Sequence, residues 1–172
     1  MSARAATFAL LAAAAAAAAV AQEVPSTYHQ RQALVGHESF AIQIVGLGDG
    51  ETAQKLGIQG GPLLREIERR ARAAGVVVED LGDDGARALL EIKVILAYEE
   101  NLELAVWSTV AEVRQTFMDG TGRVVYASIW SSGGYVGAAI LARAKDEIAK
   151  SIASQVDRFL ADYQAVRREQ NL

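Results

Sequence analysis

"EVRQTFMDGTGRVVYASIW", residues 112–130, is the stretch on which the fold turns. Two runs of β-branched and aromatic residues flank a polar, glycine-containing break, the pattern of a β-hairpin. A three-residue loop of Gly120, Thr121 and Gly122, with Gly122 in the left-handed conformation such loops need, sets Asp119 opposite Arg123 and Phe117 opposite Val125. On that register Ala111, Val113 and Phe117 share an apolar face with Val125, Ala127 and Ile129. The other face carries Glu112, Arg114 and Thr116 beside Tyr126, Ser128 and Trp130. A slip of one residue would mix the two sets, which burial penalises. The expectation is that Phe117 and Val125 point inward together and Trp130 points to water.

Working outward, "ARALLEIKVILAYEE" (86–100) sets Leu90, Ile92, Val94 and Leu96 on one face and Glu91 and Lys93 on the other, a strand period. "ESFAIQIVGL" (38–47) alternates in the same way, and a glycine-rich loop to Gly61 follows it. "GPLLREIERRARAAG" (61–75) opens on a proline, keeps apolar residues at 63, 64, 67, 71 and 74, and stops at Gly75, so it reads as a helix. Arg65, Arg69, Arg70 and Arg72 interleave with Glu66 and Glu68 on its wet face. "VVVED" (76–80) is a second strand, parallel to the first across a right-handed crossover. A helix over 138–168 closes the chain, with apolar positions at helical period. The fold class is α+β: a single β-α-β-β-β-α domain over 38–172, with a mixed sheet, two helices packed on one face and a long C-terminal helix. Residues 22–37 read as an extended lead-in.

Residues 1–21, "MSARAATFALLAAAAAAAAVA", have the form of a secretory signal, with an A-x-A cleavage pattern ending at Ala21. The run is dominated by alanine and falls short of the roughly 20 strongly apolar residues of a stable membrane span. The chain is therefore expected to be exported, periplasmic or secreted. It has no cysteine, so neither a disulfide framework nor a lipoprotein-type anchor is expected, and stability must come from packing. Without the leader, 151 of 172 residues remain, with 16 basic against 21 acidic side chains. That acidic balance argues against nucleic acid as a partner.

Gly48, Gly50 and Ala53 fall at the G-x-G-x-x-A spacing of a dinucleotide turn, but the amphipathic helix pattern begins about ten residues too late to offer its N-terminus to a phosphate. His29 and His37 are the only histidines, eight apart in the lead-in, and give no metal or triad geometry. "DLGDDG" (80–85) lacks the alternating ligands of a calcium loop. Glu99, Glu100 and Glu103 read as an acidic connection rather than a hydrolase pair. No catalytic, cofactor or metal residue is expected.

Two amphipathic helices can share one sheet face, which leaves Tyr126, Trp130, Arg114, Glu112 and Lys93, joined by Glu91, on the uncovered side. Aromatic residues among charges on a bare sheet suit recognition, and the same set could serve only as cross-strand support. Trp107 takes core parity. "SSGGYVGAA" (131–139) reads as a reversal, with Ser131 and Ser132 as helix caps. The terminal helix, about 45 Å long against about 33 Å for a ten-residue strand, is expected to overhang the sheet with Tyr163, Arg167 and Arg168.

Trp130, Ser131, Gly134, Tyr135, Val136 and Gly137, followed by Asp157, Phe159, Asp162 and Tyr163, give the stretch "W-S…G-Y-V-G" and then "D-x-F-x-x-D-Y". In these the chain resembles a group of small exported bacterial proteins of unknown function. Its element order is also similar in outline to envelope α/β domains such as the Tol-system amino-terminal domain and the curli secretion channel. The resemblance implies a non-catalytic periplasmic interaction domain that binds a protein or envelope component, with a homo-oligomer possible. The alternatives are a small-molecule or lipid carrier, which needs an apolar cavity between sheet and long helix, and an unrecognised hydrolase.

Overall fold

The computed structural model describes residues 28–47, 50–81 and 88–170. The signal sequence, residues 22–27, Gly48, and the aspartates of the 80–85 turn other than Asp80 lie outside them. In chain order the elements are α1 (Tyr28–Gln32), β1 (Ser39–Val45), α2 (Glu51–Lys55), α3 (Gly60–Ala73), β2 (Val77–Glu79), β3 (Leu89–Glu99), a 3-10 turn (Glu100–Leu102), β4 (Leu104–Met118), β5 (Val124–Ser131), β6 (Tyr135–Ile140) and α4 (Leu141–Gln170). The sheet order is β2-β1-β3-β4-β5, with β6 also on β4. β1 pairs in parallel with β2 and β3, and the remaining pairs are antiparallel. The fold is thus α+β, with a mixed sheet and a long terminal helix.

Helix α3 ends as its sequence dictates. Gly75 adopts φ +86, and the amides of Gly75 and Val76 return to the carbonyls of Arg72 and Ala71, closing the helix with a left-handed glycine. Its wet face carries the ion pairs Arg69–Glu66, Arg70–Glu66 and Arg72–Glu68. Its buried face, Ile67 and Ala71, joins one core with Ala144, Ile148, Ile152, Val156 and Phe159 of α4 and the inward residues of β1, β3 and β4. At the far end of that core Phe40, Phe159 and Tyr163 meet edge-on or stacked, with ring centroids 5.2–6.1 Å apart.

The hairpin forms on the expected register. Phe117 pairs with Val125, the Asp119 amide donates to the Arg123 carbonyl, and Gly122 has φ +80. Past Arg114, however, β5 holds one residue more than β4. Ser128 faces Arg114 and Trp130 faces Val113, so Ile129 is a β-bulge. The bulge reverses the parity of everything after it. Trp130 therefore lies on the helix side, 1 % exposed, which corrects the expectation that it faces water. Its indole N–H donates to Asp162 of α4 at 3.0 Å, and its ring meets Phe159 edge-on at 5.5 Å. Phe117 and Val125 do point to the helix side but lie beyond the helices, 43 % and 44 % exposed.

Further expectations are corrected. The "SSGGYVGAA" reversal contains β6, and the helix begins at Leu141 rather than 138. β5 covers only residues 112–118 of the 15-residue β4, so the other half of that edge, 104–109, is open to β6. Ser132 is not a helix cap: its Oγ accepts from the Ala111 amide and its own amide donates to the Ala111 carbonyl, carrying the ladder across the gap. The glycine-rich loop after β1 holds a short helix, α2, and the lead-in is not extended throughout, because α1 and a turn at Gly36 (φ +83) bring Leu34 into the core at 1 % exposure.

Removing the Trp130 side chain opens a large cavity and strips Asp162 of a donor. Trp130→Ala should cost about 3–5 kcal/mol, and Gly137→Ala should also destabilise, because a Cβ there meets the Trp107 ring. Urea unfolding followed by circular dichroism checks both; an unchanged midpoint for Trp130→Ala would contradict the burial described.

Candidate functional site

The face of the sheet away from α3 and α4 has no helix over it among the described residues. The strand registers order its side chains into rows. At one end lie Glu99–Leu104–Ile140, then Ala97–Val106–Ala138, then Ile95–Ser108–Val136. Ile95, Ile140 and Val136 are 71 %, 56 % and 42 % exposed, so this end is an apolar surface in water.

The middle rows are charged. Glu91 is buried at 5 % although it lies on the open face, because its neighbours close over it. It accepts from Gln43 Nε2 at 2.7 Å and Arg114 at 3.3 Å, and Lys93 lies 3.3 Å away. Lys93 in turn donates to Glu112 at 2.6 Å. The Glu112 carboxylate is the largest influence holding the Lys93 ammonium above its ordinary pKa, with Glu91 adding to it against partial desolvation. Of the residues predicted from sequence, Lys93, Glu112 and Arg114 are thus joined in one network with Glu91. Every carboxylate in it faces a cation, so it can fix the register of β1, β3 and β4 and present a nearly neutral polar band to a partner.

Beyond the network β4 and β5 run on as a two-stranded arm. β3 begins at Leu89, opposite Arg114, so among the described residues 115–118 and 124–127 pair only with each other. Tyr126 stands here on the uncovered face, 62 % exposed, as expected, with Met118 and Val124 at 75 % and 56 %. The turn is held by Asp119, whose carboxylate accepts from the Thr121 hydroxyl and from the amides of Thr121 and Arg123. Those donors, the Thr121 hydroxyl first, pull the Asp119 pKa from 3.8 to about 2.

Tyr163, predicted to overhang, is instead 2 % exposed. The last turns of α4 are covered by the N-terminal segment: Gln32 bonds Glu169, Arg31 lies 3.8 Å from Asp162, and Arg167 pairs with Glu38 at 3.1 Å. Arg168 remains exposed. Tyr163 and both arginines border a recess of about 380 Å³ beside Ala74 and Gly75. Sequence reasoning missed the apolar rows around Ile95 and β6; the alternation of "YVGAAI" was the available signal.

The other candidates resolve into local structure. Glu100 binds Lys55, and Glu99 caps Asn101. His37 sits beside Phe40, and its burial lowers its pKa. Helix α2 does start just after Gly50, but it is five residues long with Glu51 in its first turn, which sets a carboxylate where a phosphate would bind. Leu63, Ile67, Ala149 and Ile152 line an open groove of about 250 Å³ between α3 and α4; it lies between the helices, not between sheet and α4. Among the described residues no group of His, Asp and Glu has the geometry of a metal site, and no helix is long and apolar enough to cross a membrane.

Glu91→Ala removes the acceptor shared by Gln43 and Arg114, whose exposed ends can rehydrate. A loss of about 1–2 kcal/mol is expected, read as a lowered Tm. Asp119 is held below its unfolded pKa, so its contribution to stability is complete above about pH 4 and lost as pH falls toward 2. A carboxyl-carbon NMR titration of Asp119 should show that low midpoint, and an ordinary midpoint would contradict the turn.

No protein-family model matches the chain, and no curated protein matches it. Among solved structures it is similar to PelC from Paraburkholderia phytofirmans, solved as a dodecamer: TM-score 0.40, 19 % identity, 75 % of this chain and 87 % of that one covered. It is similar also to a minor lipoprotein from Acinetobacter baumannii, with TM-score 0.34, 10 % identity and coverage of 76 % and 95 %. A third is the rare lipoprotein B from Shewanella oneidensis, with TM-score 0.30, 11 % identity and coverage of 78 % and 99 %. None of the three is a Tol-system or curli domain.

Proposed function

We propose that this chain is an exported, non-catalytic interaction domain that binds a protein or envelope component through the uncovered face of its sheet. One observation carries the reading. The helices cover a single face, and the opposite face combines an apolar end, a charge-paired centre and the exposed Tyr126. Large exposed apolar patches rimmed by polar groups are characteristic of contact surfaces. The site carried forward from the sequence keeps Tyr126, Arg114, Glu112 and Lys93, gains Ile95, Val136 and Ile140, and loses Trp130 to the core. The secretory form of residues 1–21 supports export. The interior beneath α4 is filled by interlocking aromatic rings, which favours an interaction module over a carrier.

A photo-reactive residue at position 95 should form a discrete heteromeric adduct in the native envelope, while the same residue at Arg65, on the helix side, should not. Ile95→Lys should abolish capture of that partner and leave Tm within about 1 °C, as expected for a surface change. Adducts from position 65 alone, or none from position 95, would overturn the assignment.

A further inference from the structure

The arm formed by residues 115–118 and 124–127 has a property the open face does not explain. Apolar side chains stand on both of its sides: Phe117 and Val125 toward the helix side, Met118, Val124 and Tyr126 toward the open side, all at least 43 % exposed. On side chains of roughly 150–200 Å² each, those exposed fractions leave about 500 Å² of apolar surface in water.

The outer edge of the arm before the bulge at Ile129 carries no strand among the described residues. Edge strands are normally protected by charge, by proline or by being short. The opposite edge, β2, has three residues. β5 has eight, and the chain carries no charged residue and no proline from 124 to 142. The only charges on the arm, Asp119 and Arg123, are engaged with each other across the turn. A charged partner would find no counter-charge here. A copy of the same strand, laid antiparallel across a two-fold axis, meets no like charge and matches donors to acceptors by symmetry.

We infer that β5 pairs with β5 of a second copy of this chain, residues 124–128 antiparallel across a two-fold axis, joining two sheets into one. Strand pairing satisfies the backbone edge of residues 124–128 and sets the exposed Val124 and Tyr126 side chains of the two copies beside each other on one continuous sheet face. This contact uses the edge and tip of the arm. It shares Tyr126 with the proposed partner face and leaves the Ile95 end of that face, with Val136 and Ile140, free for a partner.

The test is sedimentation velocity on the chain from residue 22 onward, between 1 and 200 μM and at 50 and 500 mM NaCl. A monomer–dimer equilibrium is expected, with a Kd that changes less than about threefold with salt because no charge is engaged. The double variant Val124→Lys/Tyr126→Lys, at two exposed positions, should keep its Tm and weaken the dimer at least 30-fold, whereas Ile95→Lys should leave it intact. Since the chain has no cysteine, single-cysteine variants along 124–128 should form a disulfide-linked dimer close to the axis, and a cysteine at 95 should not. A monomer at 200 μM, a closed ring or larger species, or a dimer that survives the double variant and yields to Ile95→Lys would overturn the inference. The last would move self-association to the open face; loss of partner capture with the dimer retained would touch only the interaction site.

Discussion

At its far end the sheet is joined to the terminal helix by two aromatic contacts, Phe40 of β1 against Phe159 and Tyr163 and Trp130 of β5 against Phe159, and the second depends on Trp130 facing inward. The indole is held by Asp162 at one point and by the Phe159 ring at another. Asp162 also lies near Arg31 of the N-terminal segment. β5, α4 and α1 therefore meet at the Asp162 carboxylate. Burying an aromatic of this size with its N–H satisfied is among the larger favourable contributions available to a chain without disulfides. The one extra residue in β5 exists to place it there. Without the bulge at Ile129, Trp130 would face solvent, and Phe159 of α4 would keep Phe40 but lose its contact with β5.

The same bulge marks the limit of what the sequence makes legible. Hairpin register follows from turn chemistry and local alternation, and both are written into residues 117–125. A bulge is a choice between two alternations, and nothing in "YASIW" favours one until α4 supplies Phe159 and Asp162 as neighbours. The β1-α3-β2 crossover, the end of α3 at Gly75 and the core face of β3 are equally legible, because each rests on local pattern. β6 was not, since its pairing depends on the unpaired half of β4, a property of the assembled sheet. The short helix α1 spans too few residues to display a period, and the burial of Leu34 beside α4 is a tertiary effect. Of the candidate surface, Lys93, Glu112, Arg114 and Tyr126 could be placed by parity alone. Trp130 and Tyr163 could not, because each depends on what covers it.

The charged band on the open face separates two roles that sequence alone superimposes. Glu91 is almost fully buried, and the cations around it answer its charge. A network in which every charge has its partner contributes register and rigidity and offers little net field to a distant ligand. Binding energy on this face must then come chiefly from apolar contact at the Ile95 end, with the polar band setting orientation. That division matches interfaces in which a few apolar side chains carry most of the affinity within a polar surround.

Charge placement elsewhere follows one logic. The acidic and basic side chains of α3 and α4 pair along wet helix faces, and the chain as a whole is net negative. Copies of such a chain repel one another over most of their surface, though that repulsion is screened within about a Debye length. From Val124 to Ala142 the charges stop. An edge strand that is long, neutral and apolar on an otherwise charged molecule would invite indiscriminate pairing if nothing limited it. Here the bulge at Ile129 twists the strand, and the break at Ser132–Gly134 interrupts it, so only the short stretch before Ser128 presents a regular edge. A contact confined to that stretch saturates after one partner, and general repulsion opposes any looser association.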